Sequence, residues 1–250
     1  MPNWLLPLIL APFIGSFAAL LIHRLPTGQP VALARSRCDS CGHLLGPRDL
    51  VPMFSFLALG GLCRWCHGRI APSHLAVELA CLGIAVWVVL TQGDPLLVWL
   101  SCGLGWTLLT LAWIDSQHMI LPDVLTLPLT LAGLGATWLV DPDTVTDHAL
   151  AAAAGYLGFR AVELGYRKLR GRDGLGEGDA KLMAAAGAWV GLGPLPTVVL
   201  AAALAGLAIA TALHLAGRGM HAASAIPFGP AICVAIWVVW LGFDPFALIG

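Results

Sequence analysis

Two aspartates and four cysteines carry the chemistry that can be read from this chain. Asp115 ends the apolar run Trp99 to Ile114, and Asp179 closes the polar part of the stretch Gly174-Leu175-Gly176-Glu177-Gly178-Asp179-Ala180-Lys181. Both acids stand where a polar notch meets a long apolar segment. Ionisable groups are expensive there, and a functional role is the default reading. Asp115 also falls at the C-terminal end of its expected helix, where negative charge is unfavourable. A carboxyl set against both the helix dipole and apolar surroundings has no evident structural duty, and proton-transfer groups are found at such positions. Two facing carboxyls can divide the work of amide hydrolysis. One takes a proton from water as general base; the other protonates the carbonyl or the leaving group. Asp115 and Asp179 are therefore the expected catalytic pair. The glycines around Asp179 let the backbone approach a ligand or another chain closely. Gly176, Glu177 and Gly178 are accordingly expected to touch substrate, with a solvated loop acid as the plainer role for Glu177.

Cys38-Asp39-Ser40-Cys41 and Cys63-Arg64-Trp65-Cys66 form two Cys-x-x-Cys pairs separated by about twenty residues. Each pair can present two thiolates from one tight turn, and four thiolates suit a tetrahedral Zn²⁺. In a reducing compartment metal binding is favoured over disulfides. Cys38, Cys41, Cys63 and Cys66 are the expected ligands, the alternative being two reduced pairs without metal. Four sulfur ligands close the coordination sphere and leave no position for a reacting water, so this zinc would be structural. His43 and His67 lie beside the pairs but are not needed as ligands. Cys81, Cys102 and Cys233 sit alone in apolar runs and read as small core residues.

The elements that position these groups are membrane helices. The chain has 250 residues, of which 58% are hydrophobic and 11% charged, and its mean hydropathy is +0.85. A soluble domain is nearer half apolar and a quarter charged. The formal net charge of −1 points to no nucleic-acid partner. The first apolar run, Trp4 to Ile22, has no basic residues before it and reads as a retained helix, not a removable signal. Further spans are expected at 75–91, 96–114, 124–140, 148–166, 180–193, 195–216 and 225–243, the sixth being short for a crossing. The fold class is thus an all-α polytopic membrane protein of about eight transmembrane helices with a small zinc-binding loop domain. Three parts follow: helix 1–22, the cysteine loop 23–74 and a helical bundle 75–250.

The loops set the orientation. Loops 23–74, 115–123, 167–179 and 217–224 fall on one side, and all thirteen Lys and Arg lie in them or near the helix ends that meet them. The opposite side holds Asp94, Asp141, Asp143, Asp147 and Asp244. This positive-inside asymmetry places Asp115, Asp179 and the cysteine loop in the cytoplasm. Arg160 falls inside a span near its cytoplasmic end and can snorkel. Trp4, Trp113 and Trp138 lie near span ends, as interfacial aromatics do. The middle of the cysteine loop, Leu50 to Leu57, is apolar and is expected to pack on the membrane or the bundle. Asp123 follows Pro122 at a helix start and has a ready role as an N-cap. Glu78 reads either as a buried acid or as a helix-end charge. His118 and the remaining histidines, including His148 and His221, fall near segment ends without metal spacing.

In the order and spacing of these motifs the chain resembles the bacterial type IV prepilin peptidases. The resemblance rests on the N-terminal span, the Cys38-x-x-Cys41…Cys63-x-x-Cys66 loop, the Asp115…Leu121-Pro122-Asp123 notch and Gly176-x-Gly178-Asp179. It implies an aspartic endopeptidase of the bacterial inner membrane, with Asp115 and Asp179 as catalytic acids and Asp123 outside the pair. Its substrates would be type IV prepilins and the related pseudopilins of type II secretion, cut after a glycine at the cytoplasmic face. It also implies N-methylation of the new terminus with S-adenosylmethionine, in which the cysteine loop takes part. The second knuckle departs from the family pattern, with His67-Gly68 where many relatives have glycine directly after the cysteine. The competing reading is a proton-coupled transporter using Asp115 and Asp179 as a relay. Such a protein places its acids near the bilayer midplane, often with repeat symmetry. A zinc-bearing scaffold would tolerate loss of both aspartates. No His-Glu-x-x-His helix supports a zinc protease.

Overall fold

A computed structural model describes residues 5–31, 35–171, 176–215 and 227–242. Trp4, Gly174, Leu175, Arg218, His221, Asp244 and loop 217–224 lie outside the described residues. Among those described, the fold is helical with no strand; two isolated bridges, Arg37 with Leu44 and Leu62 with Arg69, close the cysteine turns. The chain divides into two compact units, Met1–Thr110 and Leu111–Gly250.

The first unit contains α1 (Leu5–Arg24), the short α2 (Phe54–Ala58), α3 (Pro72–Thr91) and most of α4 (Pro95–His118). Helix α1 packs along α3. The indole N–H of Trp106 on α4 donates to the Cys81 carbonyl on α3 at 3.0 Å, which satisfies the polar edge of a buried tryptophan.

The second unit holds the end of α4, then α5 (Asp123–Val140), α6 (Val145–Arg170), α7 (Glu177–Val190), α8 (Leu195–Leu215) and α9 (Gly229–Trp240). Helix α7 is its centre and packs on α5, α6, α8 and α9. Small residues make this possible. A Cβ on Gly187 of α7 would meet the Ala151 carbonyl of α6 within 2.3 Å, and one on Gly155 of α6 would meet the Met183 carbonyl of α7 within 2.5 Å. Backbones that close exclude any larger side chain, as in tight membrane helix pairs. At the far end of α7, Trp189 donates to the Leu129 carbonyl of α5 at 2.9 Å, and Asp147 of α6 accepts from the Leu192 amide at 2.9 Å.

Helices occupy every stretch expected to span. Among the described residues, five helices are long and apolar enough to cross a membrane: α1, α3, α4, α5 and the Leu195–Ala212 part of α8. The other three differ for physical reasons. Helix α6 has ample length, at 26 residues, but carries Asp147, Arg160, Glu163 and a basic last turn. Helices α7 and α9 have 14 and 12 residues, about 21 and 18 Å at the α-helical rise, short of the roughly 30 Å hydrocarbon core.

The α6–α7 contact yields a prediction. Gly187→Val should destabilise the full chain in detergent by about 1–3 kcal/mol, seen as a lower midpoint of thermal unfolding. An unchanged midpoint would contradict the contact.

Candidate functional site

The two aspartates reach the site from different helix ends. Asp115 lies within the last turn of α4, three residues before its end, and is 5% exposed. Its Oδ2 accepts the Gly229 amide at 3.0 Å. Gly229 is the first residue of α9, so an unpaired N–H at a helix start faces the carboxylate. The positive end of α9 thus offsets the unfavourable end of α4. A Cβ at 229 would stand 2.6 Å from that oxygen, which explains glycine there.

Asp179 is the third residue of α7 and 8% exposed. Its Oδ2 accepts the Gly176 amide at 3.1 Å, and its own N–H donates to the Gly176 carbonyl at 3.1 Å. The carboxylate is therefore held at the N-terminus of its own helix, where negative charge is favourable. Asp115 lies close enough for its charge to act on Asp179, and Cys233 of α9 is within electrostatic reach of both. Two acids 64 positions apart in the chain are thereby gathered in one unit.

Gly178 has a packing duty as well. A Cβ there would meet the Leu121 side chain at 2.9 Å, so the Gly-x-Gly-Asp turn seats directly on the Leu121-Pro122-Asp123 notch. Asp123 does not cap α5 through its side chain. Pro122 occupies the cap position, and the Asp123 carboxylate accepts instead from Lys181 Nζ at 2.8 and 3.0 Å. Lys181 also pairs with Glu177 at 3.1 Å, and Arg160 of α6 binds Glu163 at 2.6 Å and approaches Glu177 at 4.0 Å. These pairs tie the start of α7 to α5 and α6. Glu177 is more than half exposed while taking part in both pairs.

In the first unit the four cysteines converge. Their sulfurs all lie within 4.8 Å of one another, and Cys38 Sγ is 3.8 Å from Cys66 Sγ. A tetrahedral zinc with bonds of about 2.3 Å separates its sulfurs by about 3.8 Å, so the donor set fits that ion. The two knuckles are built alike. The Gly42 amide donates to the Cys38 carbonyl at 2.8 Å, and the His67 amide to the Cys63 carbonyl at 3.0 Å. Cys38 and Cys63 donate in turn to the carbonyls of His43 and Gly68 at 2.9 and 2.8 Å. The amides of Cys41 and Ser40 bring the Cys38 thiol down to about 7. The Gly68 amide favours a Cys66 thiolate, but the crowding sulfurs of Cys41, Cys63 and Cys38 push that thiol up to about 12. A dication at the centre relieves this crowding. His67 stands at φ +53° where the first knuckle has Gly42 at φ +70°, so the residue that departs from the pattern sits at the left-handed position.

Glu78 is buried on α3, and its Oε2 accepts the Met53 amide at 2.7 Å. His118 is exposed at the end of α4; His148 bonds the Thr137 hydroxyl and the Ala188 carbonyl at 3.0 Å each. Neither histidine joins a ligand cluster among the described residues. Nothing in the local sequence context of Gly229 or Lys181 marks either as part of the site. The one local feature at the first is Pro227-Phe228-Gly229-Pro230 before the last apolar run.

Helical membrane architecture, paired carboxylates and a four-cysteine loop define the class, and comparison with known proteins agrees. Residues 102–211 match the type IV leader peptidase family, and residues 9–92 match the bacterial peptidase A24 N-terminal domain. A prepilin leader peptidase/N-methyltransferase of Aeromonas salmonicida is 36% identical over 92% of this chain and 88% of its own length. A protein of the same name from Pseudomonas aeruginosa is 33% identical over 95% and 89%, and one from Dichelobacter nodosus 34% over 82% and 70%. No solved structure matches the chain. This chain belongs to the type IV leader peptidase family.

The knuckle geometry gives a second prediction. His67→Gly relieves a left-handed side chain worth about 1–2 kcal/mol, and should slow zinc loss to a chelator in the purified full chain. Faster loss, or a purified chain without zinc, would contradict the centre.

Proposed function

We propose that this chain is a polytopic aspartic endopeptidase of the bacterial inner membrane. It removes the leader of type IV prepilins and type II secretion pseudopilins after a glycine at the cytoplasmic face, and N-methylates the new terminus. The relatives' names, prepilin leader peptidase/N-methyltransferase, support both activities. The observation that carries the peptidase reading is the pair itself: two buried carboxylates in one helical unit, each accepting one backbone N–H at a helix start.

In this reading Asp115 and Asp179 flank the scissile amide. One carboxylate takes a proton from water as the oxygen attacks the carbonyl carbon. The other hydrogen-bonds the carbonyl oxygen and later protonates the leaving nitrogen. The Gly229 and Gly176 amides each hold one oxygen of their carboxylate, leaving the other oxygen of each for water and substrate. Gly176, Glu177 and Gly178 border Asp179 and contact the leader. Eight helices cross the membrane, with α6, α7 and α9 as the crossings that length and composition alone do not mark. The basic loops face the cytoplasm by the positive-inside rule. The division into helix 1–22, loop 23–74 and bundle 75–250 follows the same topology.

Zinc held by Cys38, Cys41, Cys63 and Cys66 stiffens a loop too short to build a large core. S-adenosylmethionine supplies the methyl group, and the cysteine-loop part contributes to its transfer. Acids near helix ends and the relatives' peptidase names favour hydrolysis over proton transport.

Co-expression with a prepilin in membranes, followed by mass spectrometry of the product's N-terminus, reads cleavage and methylation together. Asp115→Asn and Asp179→Asn should each reduce cleavage by about 10²–10⁴-fold at unchanged membrane abundance. Normal processing by either variant would remove the assignment. Cys63→Ser should lower zinc content while full-length precursor is still cut; loss of cleavage with the zinc would tie the two centres more closely than proposed.

A further inference from the structure

Glu78 takes no part in the aspartate pair, and it explains where the apolar middle of the cysteine loop goes. Helix α1 ends at Arg24 and α3 begins at Pro72, so these residues mark the loop end of the α1–α3 pair. The two helices touch well below that end. A Cβ on Gly15 would stand 2.6 Å from Glu78 Cα, and the Ser16 side chain is within hydrogen-bonding reach of the Glu78 carboxylate. Gly15 lies about 13 Å along α1 from Arg24, and Glu78 about 9 Å along α3 from Pro72, at the α-helical rise.

Yet the Glu78 carboxylate is bonded to the amide of Met53, in the middle of the loop, at 2.7 Å. Side chains lean toward the helix N-terminus, here the loop end, which lifts the carboxylate a few ångströms. The Met53 amide, 2.7 Å from that carboxylate, is therefore still placed below the level of Pro72. The loop therefore folds back along the helices that carry it. Its turn is a demanding one: Met53 stands at φ +60°, a conformation that survives only where the surroundings hold it. A backbone N–H at membrane depth needs a protein acceptor, and Glu78 provides one.

The side chains that follow point two ways. Phe56 turns inward, its ring 2.9 Å from where a Gly61 Cβ would be. Phe54 and Leu57 turn outward and are 74% and 65% exposed. The loop and its flanks carry Arg24, Arg35, Arg37, Arg48, Arg64 and Arg69 against Asp39 and Asp49. The Arg64 guanidinium spends its charge on Asp49 at 2.8 Å. An apolar tip at this depth beneath a basic loop fits the boundary of an anionic leaflet, where amphipathic segments bury 5–10 Å.

We propose that the segment 51–59 is re-entrant. Phe54 and Leu57 sit in the lipid headgroup–acyl boundary beside α1 and α3, and Glu78 sets the depth by holding the Met53 amide. The proposal rests on α1 and α3 being membrane helices and is independent of the peptidase reading.

The test uses the full chain in vesicles of phosphatidylethanolamine and phosphatidylglycerol that carry a nitroxide high on the acyl chain. A fluorescent amino acid replaces Phe54 in one preparation and Trp65, in the zinc knuckle, in another. The probe at 54 should be quenched by the lipid several-fold more than the probe at 65, and iodide in the water should rank them in reverse. Glu78→Ala should weaken the lipid quenching at 54 with zinc content unchanged, whereas Glu78→Gln, which keeps an acceptor oxygen, should preserve it. Equal iodide quenching at the two positions would overturn the proposal. So would lipid quenching at 54 that vanishes when a prepilin is added, since the surface would then seat the substrate and not lipid.

Discussion

Two carboxylates can be kept out of water only if something replaces the water. In this chain the replacement is backbone N–H at helix starts: Gly229 for Asp115 and Gly176 for Asp179. An unpaired buried charge would be very costly, and a single neutral donor does not abolish that cost. What makes the arrangement tenable is that both donors belong to helix N-termini, where several amides and the aligned peptide dipoles favour negative charge. Much of the second unit follows from this requirement. Helix α9 must begin beside Asp115, and α7 must begin two residues before Asp179.

The packing serves the same end. Helix α7 is short, and beside its buried Leu182, Met183 and Trp189 its small residues let neighbouring backbones come close. Gly187 and Gly155 let it lie against α6, and Gly178 lets its first turn rest on Leu121. Ion pairs from Lys181 and Arg160 then fix its rotation at the polar end, with Asp147 holding the Leu192 amide at the other. Exposed pairs of this kind contribute little to stability. Their value is orientation, since a helix held at both ends presents Asp179 in one direction.

Much of this was legible in the sequence because it is local. Cysteine spacing predicted the four-sulfur cluster, and apolar runs placed eight helices within a few residues of where they lie. The basic loops and the two misplaced acids were also visible. What was not legible depends on partners distant along the chain. Gly229 meets Asp115 across 114 positions, Lys181 meets Asp123 across 58, and Met53 meets Glu78 across 25. No periodicity reports such pairings. Asp123 shows the consequence: its position beside Pro122 suits a cap, but Lys181, 58 residues further on and on another helix, holds the carboxylate. His67 departs from the family pattern in sequence, but that it occupies the same left-handed place as Gly42 is a property of the folded backbone.

The central claim is that one carboxyl of the pair acts as base while the other acts as acid. The most direct measurement is the pH dependence of kcat/KM for cleavage of a prepilin by the full chain in vesicles. The account predicts a bell, falling by one proton on each side, because each acid must be in its own protonation state. A profile with a single limb, flat on the other side across the range where the protein stays folded, would contradict it.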